Sequence, residues 1–206
     1  MPLPSGRWKK DGSPPDPPDR FMTNVLRDAE AKDLAAITAL YGREVEGGTA
    51  TFETTPPTLD EMAGRFAAVT RHGLPWLVAE RDGRFAGYAY ASPFRPRPAY
   101  RYGVEGSIYV EETARGHGVG RALLIALIER SREMGLRHII GAVSDSDTSA
   151  ASIALHRSLG FRQAGVYRQV GWKFERWLDV TLMQLDLAPE GDPPRTPGLD
   201  LTGGLA

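Results

Sequence analysis

Residues 115–124 read Arg115-Gly116-His117-Gly118-Val119-Gly120-Arg121-Ala122-Leu123-Leu124, a glycine-rich turn that leads into a helix-forming segment. Glycine lets the backbone come close to a ligand because it has no Cβ. The free N–H groups at the start of a helix, together with the helix dipole, favour a bound phosphate. The stretch therefore predicts a diphosphate-binding turn at the beginning of a helix.

Two familiar phosphate-binding loops do not fit this turn. A Walker loop ends in Gly-Lys-Ser/Thr, whereas this turn ends in Gly120-Arg121-Ala122. A dinucleotide fingerprint, G-x-G-x-x-G, fails in both registers, because its sixth position is Arg121 when counted from Gly116 and Leu123 when counted from Gly118. A glycine turn that only caps a helix is also compatible with these residues alone.

The composition limits the class of protein. The chain has 206 residues, of which 41% are hydrophobic and 25% charged, which suits one globular domain. A formal net charge of −1 favours neither a nucleic acid nor a membrane surface as partner. Cysteine is absent, which excludes disulfides, thiolate metal sites and a Cys nucleophile and fits the cytoplasm. The four histidines lack metal-ligand spacing, so no metal is expected.

Both ends of the chain differ in composition from its middle. Residues 1–22 are rich in proline and charge and predict a disordered extension, with Met22 as a candidate natural start. Residues 188–206 are rich in proline and glycine and predict a disordered tail. A single domain is therefore expected over residues 23–187.

Hydrophobic periodicity between the ends predicts four helices and seven strands. The expected helices are 33–44, 59–71, 118–134 and 149–159, and the expected strands are 25–28, 76–80, 85–91, 104–110, 138–143, 161–170 and 178–187. Asp82-Gly83 indicates a hairpin turn, and Gly135 and Gly160 indicate helix ends. The order predicts an α/β (α+β) domain with a mixed, mostly antiparallel central sheet of about seven strands and about four flanking helices.

The spacing of Arg115, Gly118 and Gly120 resembles the pyrophosphate loop of the GNAT superfamily of N-acetyltransferases. Residues 149–161, which end in Leu159-Gly160-Phe161, resemble the late helix of the same superfamily. Residues 104–110, 154–156 and 171–180 are similar to its phosphinothricin and methionine sulfoximine acetyltransferase branch. The resemblance covers about residues 25–187 and implies the GNAT fold, acetyl-CoA as co-substrate and a homodimer.

The resemblance also implies where acetyl-CoA would bind. The implied residues lie on the strand before the glycine turn, on the turn itself and at the start of the late helix: Ile108, Tyr109, Val110, Arg115, Gly116, His117, Gly118, Val119, Gly120, Arg121 and Ser149. The family often has Asn at the position of Ser149. A serine hydroxyl there either contacts the coenzyme arm or caps the helix.

Two residues take catalytic roles by the same resemblance. Glu105 matches the family's proposed base, which frees the attacking amine of its proton. His156 stands where many members have Tyr, and an imidazole there can protonate the departing thiolate or relay protons. Without the family resemblance, a solvated or salt-bridged strand carboxylate is the favoured interpretation of Glu105. For His156, a packed helix histidine bonded to the backbone is an equal alternative to the catalytic role.

The substrate pocket is expected around the segment before the Glu105 strand. Guanidinium groups grip carboxylates at two points, so the basic run from Phe94 to Tyr102 suits an anionic, amino-acid-like ligand, although it can also be a solvated loop. Family alignment points to Arg95, Arg97 and Tyr100. The full expected set is Phe52, Arg95, Arg97, Tyr100, Arg101, Glu105 and Ser107, with Phe52 either a pocket wall or part of the core.

The resemblance implies transfer of an acetyl group from acetyl-CoA to the amine of a small amino-acid-like molecule of the phosphinothricin, methionine sulfoximine or methionine sulfone type. The transfer should be direct, because no cysteine or other evident nucleophile offers a covalent relay. Two alternatives stay open at this point. One is a non-catalytic acetyl-CoA sensor, and the other is an enzyme that acetylates protein N-termini or lysines.

Overall fold

The computed structural model describes residues 24–145 and 149–201 as one mixed sheet with four helices. Its strands are β1 (Asn24–Asp28), β2 (Trp76–Arg81), β3 (Arg84–Pro93), β4 (Gly103–Val110), β5 (His138–Ser144), β6 (Arg162–Lys173) and β7 (Arg176–Asp186). Its helices are α1 (Leu34–Gly47), α2 (Leu59–Arg71), α3 (Val119–Glu133) and α4 (Ala150–Ser158). The predicted fold class and element order are confirmed. The predicted disorder of residues 1–22 and the candidate start at Met22 lie outside the described residues.

The strand order β1-β2-β3-β4-β5-β7-β6 makes one sheet of seven strands. Neighbouring strands are antiparallel, except that β4 and β5 run parallel. A parallel pair needs a crossover, and α3 provides it between β4 and β5. The glycine turn of residues 115–120 lies at the start of that crossover.

Helices cover both faces of the first half of the sheet. Val78 and Tyr88 pack with the buried side chains of α1 and α2. Leu77, Ala79 and Ala89 instead pack with the first turns of α3. Successive side chains of a strand point to opposite faces, so the apolar run in β2 serves both cores.

Two hairpin turns of the sheet have residues with positive φ. Asp82 and Gly83, at φ 54° and 71°, form the predicted turn between β2 and β3. Phe174 and Glu175, at φ 52° and 56°, form a second such turn between β6 and β7. The sequence prediction ended the first of these two strands at 170 and began the second at 178, because Phe-Glu carries none of the turn residues that usually adopt this conformation.

The predicted disorder of the C-terminal tail is wrong over residues 188–201. Leu199 and Leu201 are buried in the main core cluster. The N–H of Leu199 donates to the carbonyl of Arg101 at 2.9 Å, and the hydroxyl of Tyr102 donates to the carbonyl of Thr196 at 3.0 Å. The two leucines gain enough burial to order a segment that its prolines and glycines alone would leave unstructured.

Candidate active site

The sheet splits between its two parallel strands. β4 and β5 pair only from Gly103 to Glu105, opposite His138 to Ile140. Beyond that point β4 continues to pair with β3, and β5 continues to pair with β7. The facing edges of residues 106–110 and 141–144 therefore border an opening in which backbone polar groups are free to bind a ligand.

A cavity of about 740 Å³ occupies this opening. It is lined by residues of β4 and β5, the glycine turn, α4 and the segment between α1 and α2. Both predicted catalytic residues, Glu105 and His156, line it. Of the predicted coenzyme residues, those in the cavity wall are Ile108, Tyr109, Val110, Arg115, Gly116, Gly118, Val119, Gly120, Arg121 and Ser149.

The glycine turn presents open backbone to the cavity. Gly116 and Gly118 have φ 77° and 79°, and Gly118 is the N-cap residue of α3. A methyl group at Gly116 would meet open space, and one at Gly118 would come no closer than 3.8 Å to Asn24. The side chain of Asn24 also donates to the carbonyl of His117 at 3.1 Å, which fixes the turn to β1. The start of α3 thus has the free N–H groups and clear space that a diphosphate requires.

His117 is the one predicted coenzyme residue that does not line this cavity. Its ring Nδ1 bonds the carbonyl of Arg115 at 2.8 Å, so it braces the turn from outside. Arg115 is itself oriented by Glu44, whose carboxylate lies 2.7 Å from its guanidinium. The turn is therefore held by contacts on both sides before any ligand binds.

Ser149 is the N-cap residue of α4, yet its side chain makes no capping hydrogen bond to that helix. Its place in the cavity wall leaves the hydroxyl available to a ligand. The sequence offered either a coenzyme contact or a cap, and this geometry favours the contact.

Glu105 sits at the point where β4 and β5 part. Burial raises the pKa of its carboxyl, and the nearby charge of Arg95 acts in the opposite direction. A carboxylate with a raised pKa beside a cavity is a suitable proton acceptor at neutral pH.

His156 lies on the other side of the cavity, on α4, and is 7% exposed. Its Nδ1 is 2.8 Å from the carbonyl of Ser152. A carbonyl only accepts hydrogen bonds, so Nδ1 carries the proton of the neutral ring. Burial lowers the pKa of His156, which keeps the ring neutral. Nε2, which lies close against Gly141 of β5, is therefore unprotonated and accepts a proton more readily than it donates one.

The segment between α1 and α2 forms a third wall. Ala50, Thr51 and Phe52 line the cavity, and Phe52 is 38% exposed, so it is a pocket wall and not a core residue. Tyr41 supports this wall through a hydrogen bond of 2.8 Å to Thr51. The side chain of Ser144 also donates to the carbonyl of Thr49.

The basic segment before β4 is placed at the edge of the site. Ser107 lines the cavity as predicted, but Arg95, Arg97, Tyr100 and Arg101 are not among its lining residues. Arg95 is close enough to Glu105 for its charge to act on the carboxyl pKa. Arg101 instead packs over the ring of Tyr102, with its Cγ beside Gly198 of the C-terminal segment.

The structure adds residues that the sequence did not indicate. Tyr90 lines the cavity beside Ser107, its partner in the pairing of β3 with β4, and burial raises the pKa of Tyr90. Tyr41, Thr51 and Ser144 contribute further polar groups. Each lies far in sequence from the glycine turn, and strand alternation alone does not distinguish a cavity-facing tyrosine from a core tyrosine.

Two negative findings concern the described part of the chain. Residues 24–145 and 149–201 contain no group of three or more His, Asp or Glu side chains arranged to hold a metal ion. None of the helices described there combines the length and apolar character needed to cross a membrane.

Comparison with known proteins gives a consistent family. The model of the acetyltransferase (GNAT) family matches residues 35–161. Phosphinothricin N-acetyltransferase of Alcaligenes faecalis is 49% identical over 181 residues, which cover 85% of this chain and 91% of that relative. The L-methionine sulfoximine/L-methionine sulfone acetyltransferase of Pseudomonas paraeruginosa is 44% identical over 174 residues, which cover 84% of this chain and 100% of that relative.

A solved structure agrees with these relatives. The phosphinothricin acetyltransferase of Sinorhizobium meliloti, crystallised with acetyl-CoA, superposes with a TM-score of 0.82 at 45% identity and covers 88% of this chain and 98% of its own. Fold, site and relatives together define an acyl-transferring enzyme. The chain belongs to the acetyltransferase (GNAT) family and is an N-acetyltransferase.

Proposed function

We propose that the protein transfers the acetyl group of acetyl-CoA directly to the amine of a small amino-acid-like substrate of the phosphinothricin, methionine sulfoximine or methionine sulfone type. The observation that carries this proposal is the meeting of the glycine turn, Glu105 and His156 around one cavity in the split sheet. The names of the relatives at 44% and 49% identity supply the substrate class.

The residues present fit acetyl-CoA. Free N–H groups at the start of α3, with Arg115 and Arg121 beside them, suit the diphosphate. The unpaired edge of β4, residues 106–110, suits a chain of amides that adds to it like a strand. When bound, acetyl-CoA supplies the activated acetyl group, and the protein supplies position and proton transfer.

Glu105 acts as the base in this proposal. The ammonium of an amino acid is mostly protonated at neutral pH and does not attack a thioester in that form. Glu105 takes a proton from it, directly or through a water, and the neutral amine then attacks the acetyl carbonyl. Backbone N–H groups of residues 108–110 stabilise the oxyanion that forms.

His156 takes the role of a proton relay. Its unprotonated Nε2 is able to accept a proton from the amine that has attacked the acetyl group and to pass that proton on to the departing thiolate. The neutral ring holds no proton on Nε2 to donate at the outset, so donation to the thiolate follows acceptance.

The acceptor would lie against Phe52, with its amine at Glu105. The charge of Arg95 acts on Glu105, so Arg95 is suited to bind the carboxylate of an acceptor whose amine lies at Glu105. Arg97 and Tyr100 of the same segment would assist it. Ser107 and Tyr90 contribute hydrogen-bonding groups at the base of the pocket.

We also propose that two copies associate and that the protein acts in the cytoplasm. The β6–β7 hairpin carries a cluster of large apolar side chains that are each about half exposed, namely Tyr167, Val170, Trp172, Phe174 and Trp177. An exposed apolar cluster of this kind is typical of an interface. The absence of cysteine from all 206 residues is consistent with a reducing compartment.

Thiol release from acetyl-CoA in the presence of an amine panel tests the function. Phosphinothricin, methionine sulfoximine and methionine sulfone should release CoA, each with formation of the N-acetyl product by mass spectrometry. Binding of acetyl-CoA without turnover of any amine would instead indicate a sensor. Faster acetylation of peptide N-termini or lysines than of amino acids would indicate a protein acetyltransferase.

A further inference from the structure

Lys173 is a lysine with an uncommon position, at the end of β6 and only 6% exposed. Its Nζ donates to the carbonyl of Gly48 at 2.8 Å and to that of Thr51 at 2.9 Å, with the carbonyl of Glu44 at 3.5 Å. These three acceptors are all backbone atoms of one stretch of chain. A buried ammonium is stable only when it is hydrogen-bonded, and here its bonds hold the end of β6 to the chain that follows α1. We call this contact the Lys173 clamp.

The clamp acts where the chain leaves α1. The helix ends at Gly47, so its last carbonyls have no partner within the helix. A cation at the C-terminal end of a helix also interacts favourably with the helix dipole. Lys173 therefore fixes the direction in which the chain continues into Ala50, Thr51 and Phe52, the cavity wall.

Gly171 provides a second contact between the same two segments. A methyl group placed on Gly171 would overlap the ring of Phe52. The ring therefore lies directly on the backbone of β6, two residues before Lys173. The hairpin thus sets both the backbone and the aromatic side chain of this wall, although its residues stand more than a hundred positions away in sequence.

We propose that Lys173 is a positioning residue for acceptor binding, which acts by holding Phe52 and its neighbours against the acceptor. The inference rests on the proposed function only in taking Phe52 as the acceptor wall. Lys173 does not itself line the cavity. Its loss should weaken acceptor binding and leave coenzyme binding, which belongs to the glycine turn, nearly unchanged.

The test compares Lys173→Met, which keeps the length of the side chain and removes its donors, with Lys173→Arg, which keeps a charged donor. Steady-state kinetics use acetyl-CoA and methionine sulfone, or the best amine of the panel, and calorimetry measures the Kd of CoA. Lys173→Met should raise the KM for the amine about tenfold or more, because small displacements of a positioning wall are costly. The Kd of CoA should change less than about threefold, and Lys173→Arg should recover part of the loss.

Matched controls separate this effect from a general loss of structure. Lys32→Met makes the same substitution at an exposed lysine whose ion pair is with Glu30, and it should change neither constant. Gly171→Ala should raise the amine KM by displacing Phe52, whereas Gly165→Ala, on the same strand where a methyl group would meet open space, should not.

Hydrogen exchange gives a readout that does not depend on turnover. Amides of residues 48–53 should exchange faster in Lys173→Met than in the wild type, while those of α3 keep their protection. Unchanged exchange over 48–53, an unchanged amine KM, or a parallel rise in amine KM and CoA Kd would each overturn the proposal. Failure of the proposed function is a different outcome, in which the wild type releases no thiol with any amine.

Discussion

At the scale of single residues, Glu105 combines catalytic use with a cost in stability. Its buried carboxyl has a pKa above the ordinary value of 4.5, so the folded protein holds that proton more tightly than the unfolded chain does. Stability from this group is present at pH below 4.5 and is lost as the pH rises through the folded pKa. At neutral pH the ionised carboxylate of Glu105 therefore lowers the stability of the folded protein, although it is the form that can accept a proton in catalysis.

The variant Glu105→Gln tests both properties at once. Turnover at pH 7 should fall by about a hundredfold or more, because the proton acceptor is gone. The midpoint of thermal unfolding at pH 7 to 8 should rise above that of the wild type, and the difference should vanish as the pH falls below about 4.5.

The exposed helix carboxylate of Glu129 provides the control for this change. Glu129→Gln should leave turnover at its wild-type level. Wild-type turnover in Glu105→Gln at neutral pH would show that another group takes the proton.

At the scale of elements, the glycine turn and the start of α3 form the proposed binding site for the diphosphate of the coenzyme. Gly118→Ala places a methyl group in the space before the start of α3, where a diphosphate needs direct access to N–H groups. The Kd of CoA measured by calorimetry should rise about tenfold or more, since a phosphate held at a distance loses its hydrogen bonds.

Gly83→Ala is the matched control for backbone strain. Gly83 has φ 71°, close to the 79° of Gly118, and a methyl group there meets open space, but it lies in the β2–β3 turn. Both variants should lose about 1–2 kcal/mol of stability from the left-handed conformation. Only Gly118→Ala should lose affinity for CoA; an equal loss in both would remove the turn from the coenzyme site.

The elements that could be predicted from sequence are those with a local cause. Apolar spacing located α2 at its observed bounds, and Asp82-Gly83 located its hairpin turn. The Phe174–Glu175 turn was not predictable, because its conformation is imposed by the pairing of β6 with β7. The ordered segment up to Leu201 depends on burial against residues about a hundred positions earlier.

The candidate site divides in the same way. The glycine turn, Glu105 and His156 could be located from short stretches that the family shares. The support of Phe52 by Lys173 could not, because neither residue carries a local signal of the other. The predicted substrate arginines were assigned from the basic run and the family alignment, and neither indicates that the charge of Arg95 acts on Glu105.

At the scale of the whole molecule, the apolar cluster of the β6–β7 hairpin lies at one edge of the sheet. Trp172→Glu with Trp177→Glu should convert the proposed dimer to a monomer in sedimentation velocity, because two charges replace a pair of edge-to-face indoles whose ring centroids are 5.1 Å apart. Val25→Glu changes a comparably exposed apolar residue on β1, at the other edge, and should leave the assembly unchanged. A wild-type protein that sediments as a monomer at micromolar concentration would contradict the proposed association of two copies.

The split between β4 and β5 has a consequence for the lifetime of the protein. Only three residue pairs join β4 to β5, so in the free enzyme the rest of the boundary between the two halves of the sheet is unpaired. A ligand that binds between these two strands takes the place of a strand, and by mass action it favours the folded state. Saturating acetyl-CoA should therefore raise the midpoint of thermal unfolding and slow digestion by added protease, because both depend on how often the two halves of the sheet come apart.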